Sequence, residues 1–102
     1  MAKANISENA VSPGLQQQII SIAENHGVEK LILFGSRARG DFKERSDIDL
    51  AFYGGDSSGF ISDIDEEAMT LLSFDIVDLS QSVSEELMAS IRNEGIILYE
   101  KI

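Results

Sequence analysis

The sequence contains no cysteine, which excludes both a disulfide framework and a thiolate metal site. It is also short of basic residues, with 8 Lys and Arg against 18 Asp and Glu and a formal charge of −10. Such a surface repels nucleic acid and anionic membrane as a whole, so no broad polyanion-binding face is expected, and it suits docking to a basic protein partner. No window approaches the ~20 apolar residues of a membrane span, and no long apolar run precedes Leu15. The expected location is therefore the cytoplasm. A chain of 102 residues holds one domain with a single core. At 43% hydrophobic and 25% charged residues its composition is that of an ordinary globular protein, so disorder is not expected for its body.

What is present centres on residues 31–50, LILFGSRARGDFKERSDIDL. The segment reads as an apolar strand, a Gly-Ser turn opening a short helix, a charged loop, and a second strand. Side chains on a strand alternate between faces, so Asp47 and Asp49 share one face while Ile48 and Leu50 share the other. Two carboxylates crowded on one face repel unless something positive lies between them. A divalent metal fills that role, and magnesium takes carboxylate and phosphate oxygens together, which suits a site for a nucleoside triphosphate. Gly35 has no Cβ to block a close approach, and Ser36 opens a helical turn with free N–H groups, so this pair supplies a phosphate-binding half. Arg37, Arg39, Lys43 and Arg45 gather where a triphosphate would arrive.

The rest of the chain arranges helices and strands in alternation around that motif. Residues 1–12 are small and polar and are expected to be a flexible N-terminal segment, with the domain proper spanning 13–102. Ser12 and Pro13 open a first helix carrying Leu15, Ile19, Ile22 and Ala23, which Gly27 stops. His26, the only histidine, sits at that helix end in a capping or surface role. Lys30 to Phe34 is apolar on both faces and therefore central. The glycine-rich stretch from Gly54 to Gly59 is a connector or a lid beside the site. Ser62 with Asp65 reads as a capping box for a helix carrying Ile64, Ala68, Met69, Leu71 and Leu72. Phe74 to Leu79 is a third strand whose Asp75 and Asp78 point to opposite faces, so only one can join Asp47 and Asp49, and periodicity leaves the choice open. Ser84 opens a last helix ended by Gly95, and Ile96 to Tyr99 is a fourth strand.

Gly35-Ser36-Arg37-Ala38-Arg39-Gly40 followed by Ser46-Asp47-Ile48-Asp49-Leu50 resembles the signature of the polymerase-beta-type nucleotidyltransferase superfamily. The shortness of the chain makes it most similar to the minimal nucleotidyltransferases, bacterial and archaeal proteins often encoded beside a helical HEPN-domain partner. The resemblance implies an α+β fold, with a mixed β-sheet of about four strands flanked by helices. It implies Asp75 as the third acid and as a metal ligand with Asp47 and Asp49, two Mg²⁺ ions, and ATP as nucleotide donor. Gly35 and Ser36 would grip the β- and γ-phosphates, with Arg37 or Arg39 adding charge. Larger members carry an acceptor-binding domain, so here the acceptor is expected from a second protein or a second copy of the chain. The implied activity is transfer of AMP to a tyrosine of a HEPN-type toxin, with this chain as antitoxin. Two alternatives are transfer to a small molecule such as an aminoglycoside, and a non-catalytic nucleotide-binding subunit that neutralises its partner by contact.

Overall fold

The computed structural model describes residues 2–3 and 10–101. In chain order the elements are β1 (Ala2–Lys3), α1 (Pro13–Asn25), β2 (Lys30–Phe34), α2 (Ser36–Arg39), β3 (Ile48–Tyr53), α3 (Ser57–Glu67), β4 (Phe74–Asp78), α4 (Glu85–Glu94) and β5 (Ile96–Glu100). They build one mixed sheet in the order β1-β5-β2-β3-β4. Strand β2 runs antiparallel to both β3 and β5, while β3 and β4 are parallel. The two-residue β1 only extends the β5 edge, so the expected four-stranded mixed α+β sheet is the working body of the fold.

Strand period sorts the apolar residues onto two sheet faces. Leu31, Leu33, Ile48, Leu50 and Phe52 face the larger core, shared with Leu15, Ile19, Ile22 and Ala23 of α1 and Phe60 and Ile64 of α3. Ile32, Phe34 and Ala51 face the other way and pack with Ile91 of α4, with Val77 against them. The middle of the sheet falls to β2 because Leu31, Ile32, Leu33 and Phe34 are all buried, as a strand apolar on both faces must be. The ends of α1 follow local chemistry: Ser12 accepts a hydrogen bond from the Leu15 amide, Pro13 takes the first turn, and Gly27 leaves the helix at φ +72°.

Three local expectations are corrected by tertiary contacts. Helix α3 begins at Ser57, because the Asp56 carboxylate accepts from the Gly59 amide at 3.3 Å, so the Ser62–Asp65 pair lies inside the helix. Its buried pair is Phe60 and Ile64, with Phe60 tilted on Phe52 at 4.9 Å between ring centroids. The helix stops at Glu67, where the Gln18 amide donates to the Glu67 carbonyl and its oxygen accepts from the Met69 N–H. Met69 and Leu71 are therefore not on a helix face but stand 85% and 105% exposed in the connection to β4. Of the two readings of the glycine-rich stretch, connector and lid, the structure gives the connector. Only Gly54 and Gly55 form a turn there, and it packs on the α1–β2 turn at the Tyr53 end of β3, remote from Asp49. Of the segment expected to be flexible, Ala10 and Val11 are buried, Ala2 and Lys3 pair with β5, and residues 4–9 lie outside the described part.

Candidate active site

The antiparallel pairing of β2 and β3 places Phe34 opposite Asp49, so the chain leaving β2 at Gly35 is delivered onto the Asp49 side chain. Gly35 has φ +76° and ψ −158°, a conformation essentially confined to glycine. A Cβ there would stand 2.9 Å from Asp49 Cγ and closer still to Oδ2. Helix α2 then starts at Ser36 with no side-chain cap, leaving first-turn amides outside its own hydrogen-bond ladder.

Face assignment decides which acids meet. Asp49 has the parity of Ala51, which packs on the α4 side of the sheet, whereas Asp47, expected to open the strand, stands just before its first residue Ile48, and its charge still reaches Asp49. In the parallel β3–β4 register Asp75 lies beside Asp49, and Val77, two residues on, packs on the same α4 side. Asp78 has the opposite parity and sits at the far end of β4 beside Phe52, where its Oδ1 accepts from the Ser80 amide at 2.9 Å and the Ser80 hydroxyl at 2.7 Å. Asp78 thus caps a turn, while Asp75 joins Asp47 and Asp49.

The electrostatics agree with this placement. Asp49 is half-buried, and burial is the largest cause raising its carboxyl above the usual 3.8, followed by the charges of Asp75 and Asp47. Arg39 opposes that rise and Glu94 adds to it. Among the described residues no hydrogen bond or ion pair engages the side chains of Asp47, Asp49 or Asp75, and no three acids or histidines converge closely enough to form a metal-binding group. The carboxylates form an open, repelling set. Beside them Glu44, Arg45, Asp47, Leu71, Leu72 and Ser73 line a cleft of about 430 Å³.

The two arginines of the motif part company. Arg39 stays half-exposed, its Nε donating to both oxygens of Asp41 at 3.2 Å and its Nη1 to Glu94 Oε2 at 2.9 Å, and its charge reaches Asp49 without a direct contact. Arg37, expected to reach phosphate, is only 4% exposed, and its guanidinium donates to the carbonyls of Ala10, Lys43, Glu44 and Ser46. The alternation of a short helix turned it inward, so its donors are not open to a ligand.

Glu94, which motif spacing does not reveal, is the acid that sequence reasoning missed. The one available signal was an acidic residue in the last turn of a helix, where the dipole disfavours it. His26 is not a bare surface group: Nε2 lies 2.6 Å from Asp63 and Nδ1 3.4 Å from Asp56, at the opposite end of the sheet from Asp49.

Carboxylates brought together by adjacent parallel strands, with a glycine-only turn laid on one of them, form the candidate site. The chain belongs to the polymerase beta nucleotidyltransferase family, which its residues 17–102 match. It is 35% identical over 81 residues to MJ0604 of Methanocaldococcus jannaschii, provisionally named a protein adenylyltransferase, covering 71% of this chain and 79% of that protein. Among solved structures it resembles a mutant of the toxin–antitoxin MntA-HpeT, with TM-score 0.68 and 24% identity over 84% of this chain and 73% of that one. It also resembles a complex of tri-AMPylated Shewanella oneidensis HEPN toxin with MNT antitoxin, at TM-score 0.57 and 22% identity over 85% of this chain and 71% of the other. At those identities the likeness establishes the fold. No helix among the described residues is long and apolar enough to cross a membrane.

Proposed function

We propose that this chain, with residues 13–102 as its catalytic domain, is a cytoplasmic, metal-dependent protein adenylyltransferase that moves AMP from ATP to a tyrosine hydroxyl of a HEPN-type toxin and so acts as its antitoxin. The observation that carries the catalytic part is the group of carboxylates around the half-buried Asp49, whose pKa is raised first by burial and then by the charges of Asp75 and Asp47. The acceptor class is supported by the name of the archaeal relative and by the AMPylated HEPN toxin in the structural neighbour. The strongly acidic chain is suited to a basic partner surface.

The donor chemistry suits magnesium, hard carboxylate oxygens left unpaired, but the three do not converge into a metal-binding group by themselves, so triphosphate oxygens and water would have to complete the shell. Asp47, Asp49 and Asp75 would hold it, and when bound it supplies the charge neutralisation of an in-line displacement. The chain's own groups do the remainder. Gly35 lets backbone approach without a side chain in the way, and Ser36 offers the amides of the first turn to phosphate. Arg39 adds positive charge where charge builds on the leaving pyrophosphate. The acceptor oxygen bonds the α-phosphorus, the α–β bridging bond breaks, and the acceptor proton passes to the exposed Asp75 carboxylate and on to water.

The test is incubation with α-labelled ATP and Mg²⁺, with and without the HEPN protein encoded beside this chain, reading label by mass. Label on the partner that disappears in Asp47→Ala with Asp49→Ala is expected. Tight complex formation without label would leave neutralisation by contact, and label on an aminoglycoside without any partner would move the acceptor to small molecules.

A further inference from the structure

We propose that Arg37 is a positioning residue: its buried guanidinium clamps the turn that leads into Asp47 and so sets where that carboxylate stands, a role that rests on the assignment of Asp47 to the catalytic group. Arg37 is the one buried charged side chain among the described residues. Its Nε donates to the Ser46 carbonyl at 3.0 Å, Nη2 to Glu44 at 3.2 Å and Lys43 at 3.5 Å, and Nη1 to Ala10. The Phe42 ring lies 4.8 Å from its central carbon. Among the described residues no carboxylate partners it, and its charge is held there by carbonyl dipoles and one aromatic face.

Burying an unpaired charge is costly, and an apolar side chain of similar size would serve a plain core better. What only a guanidinium supplies is a rigid planar fork able to bond several carbonyls at once. The carbonyls it collects belong to backbone without helix or strand partners, which must find donors somewhere. The turn is already closed on itself, the Lys43 amide donating to Ser46 Oγ at 2.8 Å and the Ser46 amide to the Lys43 carbonyl at 3.0 Å. Arg37 ties that closed turn to α2, and through Ala10 it ties in the approach to α1. The Ser46 carbonyl belongs to the peptide bonded to Asp47, so the Nε bond fixes a peptide plane one residue from the carboxylate.

Arg37→Lys and Arg37→Ala are compared with the intact chain. Lysine keeps the charge but cannot span the same carbonyls. The expected result is kcat lower by about 10- to 100-fold with KM for ATP within about threefold. In the same variants, titration with Mn²⁺ alone, followed by loss of the free-ion electron paramagnetic resonance signal, is expected to require more metal for half-saturation. A raised KM with unchanged kcat would make Arg37 a phosphate ligand and overturn the proposal, and so would variants that match the wild type in both kcat and Mn²⁺ titration. Should both variants unfold, the wild-type chain decides by NMR. The Arg37 Nε–H is expected to exchange slowly and to keep its shift on saturation with AMP-PNP and Mg²⁺, whereas a fast-exchanging or ligand-shifted Nε–H refutes the clamp. The Mn²⁺ and NMR measurements need no transfer activity, so a failure of the adenylyltransferase reading stays distinct from a failure of this one.

Discussion

Gly35→Ala tests the contact on which the site geometry turns. With φ +76° and ψ −158°, Gly35 occupies backbone space that costs a non-glycine residue about 1–3 kcal/mol. In a domain of this size each kcal/mol lowers Tm by roughly 4–8 °C, so strain alone predicts a drop of roughly 4 to 24 °C. A second effect is steric, because the new methyl would lie 2.9 Å from Asp49 Cγ, and the carboxylate must swing away. Misplacing a reacting group by ~1 Å costs about 100-fold in rate, which sets the expected loss of AMP transfer. The two effects largely separate in an Asp49→Ala background, where the carboxylate is gone, the remaining Cβ at 3.2 Å leaves a milder contact, and the backbone strain persists. Thermal melts of the wild type, both single variants and the double variant should therefore show a coupling, with Gly35→Ala less damaging once Asp49 is truncated. Equal destabilisation in both backgrounds, or a Gly35→Ala protein that melts and transfers AMP like the wild type, would refute the reasoning.

Asp49→Asn should stabilise the metal-free protein at pH 7 while abolishing transfer, because burial and the neighbouring acids penalise the ionised Asp49 only in the folded chain. That gain exists above its raised folded value and vanishes as the pH falls below 3.8; a gain that persists there in urea titrations would contradict it. His26 is raised above 6.5 chiefly by its hydrogen bond to Asp63, with Asp56 adding, so its stabilising effect is complete below 6.5 and is lost as the pH climbs through the folded value. Denaturation between pH 6 and 9 should show this slope in the wild type and not in His26→Gln. Asp75→Asn should cut transfer about 100-fold or more with little change in melting. Asp78→Ala should instead cost about 1 kcal/mol through the lost Ser80 hydrogen bonds and leave the rate unchanged, and a reversal of the two would reassign the third acid.

What the chain determines by itself is what short-range chemistry decides. Ser12 with Pro13 and Ser84 with Leu87 close their caps within three residues, so the starts of α1 and α4 were visible in sequence. The two-sided apolar run of β2 requires burial on both faces, which places it centrally without any knowledge of its neighbours. Asp49 faces away from Ile48 and Leu50 because strand period is local, while Asp47 stands one residue before the strand and is near Asp49 by its position in the chain. Other features depend on partners far along the chain, and no window contains them. Gln18 ends α3 from another helix, and strand register alone decides that Asp75 rather than Asp78 stands beside Asp49. Glu94 reaches the acids because α4 packs beneath Phe34 and Ala51. Arg37 and Arg39 are alike as residues and two apart in sequence, yet one enters the interior and the other stays outside, bonded to Asp41 and Glu94. A turn of helix rotates them apart by about 200°, and only the packed structure says which direction is inward.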